Sequence, residues 1–156
     1  MKHNTGQRFA DNRKVRYDYE ILEKFDGGLV LSGQEVKAIR EGGAKIDGAH
    51  VAMSRGELWL LGSHIRPYSK SGSRETHVAD RSRKILVHKD ELKYLLGKTA
   101  IKGLTLMPLA LYPSGRQIKL SFALCRGQKA PDKREKLKSR DILREVHRQL
   151  RGRDIE

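Results

Sequence analysis

The order of apolar and polar positions along the chain predicts short β-strands with a few helices between them. Residues 17–25 alternate apolar with polar side chains, which is the period of a strand with one buried face. Residues 29–31 form an uninterrupted apolar run, which is typical of a strand buried on both faces. Residues 50–54 and 58–61 predict two more strands, joined by a turn at Arg55-Gly56.

The segment that follows residue 25 predicts a turn and then a helix. Asp26-Gly27-Gly28 is typical of a turn, because glycine reaches positive φ without a steric clash. Ser32 and Glu35 have the spacing of a capping box at the start of a helix. Val36 and Ile39 fall on one face of that helix, and Gly42-Gly43 ends it.

The second half of the chain predicts a loop, a strand, a helix and a hairpin. Residues 69–83 are rich in serine, glycine and charge and predict a mobile loop, and residues 85–87 predict a buried strand. Residues 90–98 predict a helix with Leu92, Leu95 and Leu96 on its apolar side.

Residues 104–112 and 117–124 predict a hairpin around a turn at 113–115. Pro108 within the first strand indicates an edge or a bulge. Many short strands without a βαβ rhythm favour a mainly β fold, a small closed antiparallel barrel with flanking helices. We divide the chain into a flexible basic arm (1–11), a barrel (12–126) and a basic C-terminal tail (127–156).

The distribution of charge along the chain predicts a polyanionic partner. The chain has 33 Lys and Arg against 19 Asp and Glu, a net charge of +14, and residues 126–153 hold eleven bases against four acids. Such clustering indicates a nucleic acid. A merely solvated surface is the alternative. An anionic membrane is disfavoured, because the basic segment is poor in aromatic anchors and the chain has no run long enough to span a bilayer.

The tail has helical periodicity but little apolar surface. Ile142, Leu143, Val146 and Leu150 share one face of a helical wheel, and Arg140, Arg144, Arg148 and Arg151 share the opposite face. Like charges at i, i+4 and i+8 repel one another until phosphates neutralise them. Pro131 suits the first position of a helix, and the negative charge of Asp132 interacts favourably with the positive N-terminal end of the helix dipole. We therefore expect a segment that is disordered in the free protein and helical when bound.

Signatures of catalysis and of metal binding are absent from the sequence. Gly97-Lys98-Thr99 imitates a phosphate-binding loop, but Leu92 replaces the required glycine. The six histidines lack ligand spacing, and Cys125, the single cysteine, cannot form an internal disulfide. We expect a buried thiol, a reducing cytoplasm without a secretory leader, no metal or cofactor, and no enzymatic activity. A nuclease with dispersed carboxylates remains an alternative.

Aromatic and charged residues offer candidate RNA contacts, each with a structural alternative. The aromatics available for base stacking are Tyr17, Tyr19, Trp59, Tyr68 and Tyr112. Trp59 lies among leucines and is better explained as core, whereas Tyr19 fits either role equally. Glu35 is better explained as a cap than as an RNA contact. Lys37 and Arg40 are candidate phosphate ligands, with ordinary helix-surface charges as the alternative.

One long run and several shorter matches resemble a known family. Residues 25–43 read FDGGLVLSGQEVKAIREGG. The further matches, in consistent order, are Asn12-Arg13-Lys14 with Tyr19, His64-Ile65 with Pro67-Tyr68, residues 83–98, Pro108-Leu109 with Leu111-Tyr112, Ile118-Lys119-Leu120, Arg126-Gly127 and Asp132-Lys133-Arg134-Glu135. Over roughly residues 12–135 the chain resembles the SsrA-binding protein family, also called small protein B, which partners transfer-messenger RNA (tmRNA) in bacterial ribosome rescue.

The resemblance implies a fold, partners and residues. It implies an OB-like barrel that acts as a monomeric RNA-binding adaptor, binds the tRNA-like domain of tmRNA and delivers it to the decoding centre and mRNA channel of stalled ribosomes. A generic OB-like protein that binds ribosomal RNA is the alternative. The family's tmRNA-supporting positions fall on Asp26, Leu86 and Lys119. The chain departs from the family pattern at Val78-Ala79, Gln128 and Pro131.

Charge, motif and resemblance together give two sets of candidate residues. The RNA-binding set is Asn12, Arg13, Lys14, Tyr19, Asp26, Gly28, Lys37, Arg40, Leu86, Lys119, Arg126 and Lys129. The ribosome-binding set in the tail is Asp132, Lys133, Arg134, Arg140, Arg144 and Arg148.

Overall fold

A computed structural model of the chain describes residues 6–72, 77–127 and 130–153, without the side chains of 130–133, 135, 136 and 149–153. In order, the elements are β1 (Ala10–Asp11), α1 (Val15–Asp18), β2 (Tyr19–Leu29), α2 (Gly33–Arg40), β3 (Ala44–Lys45), β4 (His50–Ser54), β5 (Glu57–Leu61), β6 (His64–Ile65), β7 (Arg83–Leu86), α3 (Lys89–Thr99), β8 (Leu104–Ser114), β9 (Gln117–Gly127) and α4 (Ala130–Arg153).

The main sheet closes into a ring. Its strand order is β1-β8-β4-β5-β7-β2-β9, and β8 also pairs with β9, so that β8 closes the barrel. The pairings are antiparallel. Phe122, Leu58 and Leu60 fill the interior, and Ile39 of α2 and Leu95 of α3 join the same core. The predicted mainly β, OB-like barrel with flanking helices is confirmed.

The predicted turn at Asp26-Gly27-Gly28 is wrong, because β2 runs without interruption from Tyr19 to Leu29. Gly27 is buried, and a Cβ added there would lie 2.7 Å from Cγ2 of Ile85. Glycine is required here for close packing between strands rather than for positive φ. The strand predicted at 29–31 is also wrong: Val30 lies beyond β2 and is 45% exposed.

Both predicted helices of the barrel are present. Ser32 and Glu35 form the predicted capping box at the start of α2. In α3, Leu95 is buried, but Leu96 is 52% exposed and does not belong to the apolar side. The stripe is narrower than predicted because one face of α3 alone packs on the barrel.

The predicted strands around residue 85 and in the hairpin shift in extent. Arg83, expected in the mobile loop, begins β7 and is fully buried, while Leu86, expected in a buried strand, is 51% exposed. Residues 73–76 of that loop lie outside the described residues. The hairpin turn lies at Gly115-Arg116, and Pro108 adjoins the predicted bulge, since the β8–β9 register shifts between Pro108 and Ala110.

Trp59 is not a core residue. Its neighbours Leu58 and Leu60 are buried in the core, and alternation along β5 turns the indole to the outer face. Cys125 is buried as predicted, and burial raises the pKa of its thiol to about 11.

Both ends of the chain contribute secondary structure. Ala10 and Asp11, assigned to the arm, pair with Leu111 and Ala110 of β8. In the tail, residues 130–153 form the continuous helix α4, and disorder of the tail in the free protein stays a prediction. A contact with α1 supports the helix, because Arg140 Cζ lies 4.3 Å from the ring centroid of Tyr17. Among the described residues, no helix is long and apolar enough to cross a membrane.

Candidate nucleic-acid interface

The sheet register brings four residues of distant sequence into one row across the barrel. Gly28 on β2 pairs with Leu86 on β7 and with Lys119 on β9, and Lys119 pairs in turn with Tyr112 on β8. Directly paired residues point to the same face of a sheet. Flanking residues along these strands are buried: Ile85, Leu111, Ile118 and Leu120. The row therefore lies on the outer face of the barrel, and we call it the outer row.

Gly28 leaves a shallow groove in the middle of the outer row. A Cβ built at Gly28 would lie 3.7 Å from Cβ of Leu86, which is ordinary contact, so the groove has room for one methyl group. Leu86 forms one wall, and Lys119 the other. A backbone without a side chain lets a ligand approach the sheet closely.

Asp26 joins the outer row from the same strand. It lies two residues before Gly28 on β2 and so points to the same face. The hydroxyl of Tyr112 donates a hydrogen bond to its carboxylate; burial, together with this bond and the negative charge of Asp26, raises the pKa of Tyr112 to about 12. The phenol therefore stays neutral at physiological pH and fixes an acceptor beside the Lys119 cation.

The outer row thus unites Asp26, Gly28, Leu86 and Lys119 of the predicted RNA-binding set. The sequence reasoning missed the part that Tyr112 plays. The position of the hairpin turn would have revealed this part. The observed two-residue turn at Gly115-Arg116 pairs Tyr112 with Lys119, whereas the turn expected at 113–115 would not have paired them.

Asn12 is a structural residue rather than a surface contact. It is 2% exposed, and its Nδ2 donates to the carbonyl oxygens of Ile46, at 3.3 Å, and Pro108, at 3.2 Å. These hydrogen bonds connect the segment after β1 to β8 and to the loop after β3. The Asn12 side chain thus has a structural role, and its RNA contact stays a prediction.

Arg13, Lys14 and Tyr19 form a separate group at α1. The two cations are exposed, and Arg13 Nε lies 3.7 Å from a carboxylate oxygen of Asp11. Tyr19 packs half-buried against Val15 and Cys125 in a small second core. Lys14 and Tyr19 line an open cleft of about 450 Å³ that includes His50, Thr105 and Met107.

Lys37, Arg40 and Arg126 do not join the outer row. Lys37 Nζ lies 5.4 Å from the ring centroid of Tyr68, and Arg40 Nη2 donates to the carbonyl oxygen of Arg116 at 3.1 Å. Arg126 is seven residues beyond Lys119 on β9, about 24 Å along the strand. Lys129 lies outside the described residues.

A buried ion-pair network beside the outer row was only partly anticipated. Glu35, 2% exposed, accepts hydrogen bonds from Arg81 and from Arg83 Nε, the latter at 2.5 Å. Burial alone raises the pKa of Glu35, but the bonds from Arg81, the Ser32 N–H and Arg83 outweigh it and hold the pKa below its usual range. The cap was predicted; the two arginines were not, because they lie 46 and 48 residues away.

The predicted tail residues lie on α4. Arg134 is exposed, and Asp132 and Lys133 lie within the helix, their side chains outside the description. Arg140, Arg144, Asp141, Leu137 and Tyr17 line a cleft of about 240 Å³ between α1 and α4. Arg148 pairs with Glu145 at 3.2 Å on the surface. Arg140, Arg144 and Arg148 thus repeat on one helical face, as predicted.

A metal site does not emerge from the described part of the chain. No group of three or more His, Cys, Asp and Glu side chains there is placed to hold a metal ion. The arrangement on the outer row offers instead one cation, one acceptor and an apolar groove, which are contacts for phosphate, hydroxyl and sugar or base.

Comparisons with known proteins show the family of this chain. The profile of the SmpB protein family matches residues 9–152. The SsrA-binding protein of Carboxydothermus hydrogenoformans is 46% identical over 144 residues, which cover 92% of this chain and 96% of the relative. That of Trichormus variabilis is 44% identical over 151 residues, which cover 97% of each chain.

A solved structure agrees with these relatives. One chain of the structure described as "tmRNA-SmpB: a journey to the center of the bacterial ribosome" superposes with a TM-score of 0.63 at 45% identity, covering 77% of this chain and 84% of that one. The family profile, the relatives and the superposed fold agree over most of the chain, and the chain belongs to the SmpB family.

Proposed function

We propose that this protein is an RNA-binding adaptor that binds the tRNA-like domain of tmRNA and delivers it to stalled ribosomes for trans-translation. Family membership and the likeness to a tmRNA–SmpB structure support this function. The single observation that carries it for this chain is the outer row, which brings Asp26, Gly28, Leu86 and Lys119 together from three strands.

The chemistry of the outer row suits structured RNA. Lys119 supplies a cation for a phosphate, and the Gly28 groove beside Leu86 admits a sugar edge. The Asp26 carboxylate, oriented by Tyr112, accepts a hydrogen bond from a 2′-hydroxyl, the group that distinguishes RNA from DNA. Folded RNA is recognised mainly by shape, phosphates and 2′-hydroxyls, so few aromatic side chains are needed.

The tail supplies a second RNA surface in this proposal. Arg140, Arg144 and Arg148 repeat every four residues along α4, and Arg134 adds another cation about 1.7 turns before Arg140. A helix with this charge fits an anionic channel such as that of the ribosome. Recruitment of tmRNA then belongs to the barrel, and function on the ribosome belongs to α4.

The same proposal makes the protein a cytoplasmic, non-enzymatic monomer. A general binder of ribosomal RNA is the less favoured candidate, because the relatives that cover nearly the whole chain are SsrA-binding proteins. The basic charge of the chain alone does not separate the two functions, so the identity of the bound RNA decides between them.

Capture of RNA from a bacterial lysate by the tagged full-length protein, followed by sequencing, tests the proposal. We expect tmRNA to be enriched far above ribosomal RNA. A variant with Lys119→Ala, expressed equally, is the matched control and should recover less tmRNA. Recovery of ribosomal RNA without preference for tmRNA would contradict the proposal, and so would metal-dependent cleavage of the captured RNA.

A further inference from the structure

A second row of residues runs beside the outer row on the same face of the barrel. On β5, Trp59 pairs with Lys84 of β7 and with Ala52 of β4. The N–H of Val30 donates to the carbonyl oxygen of Lys84 at 3.0 Å, which brings Val30 to the other side of Lys84. Lys84 is two residues from Leu86, and Val30 two from Gly28, so the rows lie about 7 Å apart.

Alternation along the strands turns the second row outward. Trp59 lies between Leu58 and Leu60, and Lys84 between Arg83 and Ile85, all of them at most 2% exposed. Trp59 is half-buried, and Val30 is 45% exposed. An indole on the outer face does not pack in the barrel interior. Its ring is instead available for a nucleic-acid base to stack on.

Two cations follow Trp59 along the second row, on its β7 side. Lys84 Nζ pairs with Oε1 of Glu57 at 2.8 Å, but both side chains are more than a third exposed, so the pair is readily exchanged for a phosphate. Arg81, at the Val30 end, is held in place: its Nη2 donates to the carbonyl oxygen of Val30 at 3.3 Å, and its guanidinium also binds Glu35.

The anchoring of Arg81 leaves a positive charge on the surface. Arg81 and Arg83 share the single carboxylate of Glu35, and Arg83 is fully buried whereas 37% of the Arg81 side chain is exposed. Arg81 is therefore the exposed cation of this network, and Asp80 beside it offsets part of the charge. Glu35 and the carbonyl oxygens of Val30 and Ser82 already fix the Arg81 rotamer, so little conformational entropy is lost when Arg81 binds an anion.

We propose that the second row is an extension of the tmRNA site, in which an unpaired base stacks on Trp59 and the phosphates on its β7 side bind Lys84 and Arg81. The inference rests on the proposed function, since the second row continues the outer row across β7. An aromatic side chain followed along the row by two cations offers a stacked base and its neighbouring phosphates the contacts typical of sites for single-stranded nucleic acid. An apolar protein partner would instead leave Lys84 and Arg81 without compensating charge.

The intrinsic fluorescence of Trp59 tests the inference in the unmodified protein, because Trp59 is the only tryptophan in the chain. The tRNA-like domain of tmRNA, carrying a terminal dye, is titrated with full-length protein. Dye anisotropy reports binding, and selectively excited tryptophan emission reports stacking. We expect quenching of Trp59 that saturates together with the anisotropy.

Substitution completes the test. Trp59→Ala should weaken binding roughly five- to hundredfold, the range found for loss of one stacked base, and Trp59→Phe should retain most of the affinity. Leu61→Ala, on the same strand and face, removes apolar surface but no aromatic ring; it is the matched control and should change affinity less than about twofold.

The possible failures distinguish the two proposals. If RNA binds and Trp59 emission stays unchanged at saturation, or if Trp59→Ala binds as tightly as the wild type, the second row is not a base site and the inference is overturned, while the tmRNA adaptor function stands. If the RNA does not bind the wild-type protein at all, both proposals are overturned. The quenching measurement remains decisive even where Trp59→Ala fails to fold.

Discussion

At the scale of single residues, Glu35 links three distant parts of the chain. Its carboxylate closes the capping box of α2 and binds Arg81 and Arg83 around the start of β7. Arg83 in turn donates to Ser63 Oγ, at 2.9 Å, and to the carbonyl oxygen of Ala79, at 2.9 Å. A buried ion pair of this kind stabilises less than its contacts suggest, but removal of one partner leaves an uncompensated charge.

Glu35→Gln should therefore destabilise the fold by about 3–5 kcal/mol, because Arg83 stays buried without its counter-charge. Urea unfolding followed by circular dichroism measures the change. Glu57→Gln, which removes one carboxylate from an exposed pair, is the matched control and should cost less than about 1 kcal/mol. Equal losses of unfolding free energy in the two variants would show that the buried network stabilises the fold no more than an exposed ion pair does.

The pH dependence follows from the direction of the same pKa shift. The pKa of Glu35 is lowered in the folded protein, so its contribution is fully present above its unfolded value of 4.5 and is lost as pH falls through the folded pKa. The difference in unfolding free energy between wild type and Glu35→Gln should accordingly shrink below about pH 4.5. A difference that stays constant into the acid range contradicts the assignment.

Residue roles were predictable from sequence where the signal was local. The capping box of Ser32 and Glu35 and the buried Cys125 were confirmed, because each depends on its neighbours in the chain. Trp59 among leucines gave the wrong prediction, since strand alternation reverses the face at each residue. Arg81 and Arg83 could not be paired with Glu35, because nothing local encodes a contact across more than forty residues.

At the scale of elements, β2 shows how packing overrides turn propensity. Gly27 and Gly28 look like a turn, yet both pair with β9 in an uninterrupted ladder. Gly27 faces the core, where Ile85 leaves no room for a Cβ, and Gly28 faces the outer row, where the groove is open. Sequence gives the glycines but not their faces, because face depends on the register with β7 and β9.

The two glycines should respond oppositely to one added methyl group. Gly27→Ala should destabilise by about 1–3 kcal/mol through overpacking against Ile85. Gly28→Ala should fold with nearly normal stability, yet weaken tmRNA binding because it fills the groove beside Leu86. Thermal unfolding and anisotropy with the tRNA-like domain separate the two effects, and tight RNA binding by folded Gly28→Ala contradicts the groove's role.

The helix α4 is the element most independent of the barrel. Its contact with the rest of the protein includes the Arg140–Tyr17 pair, while Ile142, Leu143 and Val146 stay exposed. The amphipathic pattern predicted this helix. Its disorder in the free protein stays a prediction, because few apolar contacts compensate the repulsion along the arginine face.

A protein that ends after Gln128 should therefore fold and bind tmRNA, yet fail to support peptide tagging on stalled ribosomes. Replacement of Asp132, Lys133 and Arg134 with alanine should give a milder form of the same separation. A tagging assay in a reconstituted translation system, beside anisotropy with tmRNA, measures both activities. Tagging at full rate by the shortened protein would refute the division of labour, and loss of tmRNA binding would place α4 within the primary RNA site.

At the scale of the whole molecule, the fold determines which of the many cations lie together on one surface. The chain carries a net charge of +14, yet several cations are engaged within the protein, such as Arg40 with Arg116 and Arg83 with Glu35. Composition therefore predicted the class of partner but not which cations are available to it. The barrel closure decides that, because it brings Leu86, Gly28 and Lys119 side by side from strands far apart in sequence.

We infer that the outer row binds the tRNA-like domain through Lys119. The most direct test is the affinity of wild type and Lys119→Ala for that RNA over a range of salt concentrations. Lys102→Ala is the matched control. It also removes one lysine charge, but Lys102 lies just before β8 begins, far along that strand from Tyr112. We predict that log K falls by roughly 0.7–0.9 per log unit of salt for each phosphate contact, and that Lys119→Ala alone lowers this slope by about one contact. An unchanged slope in Lys119→Ala, or a wild-type affinity independent of salt, would contradict the claim.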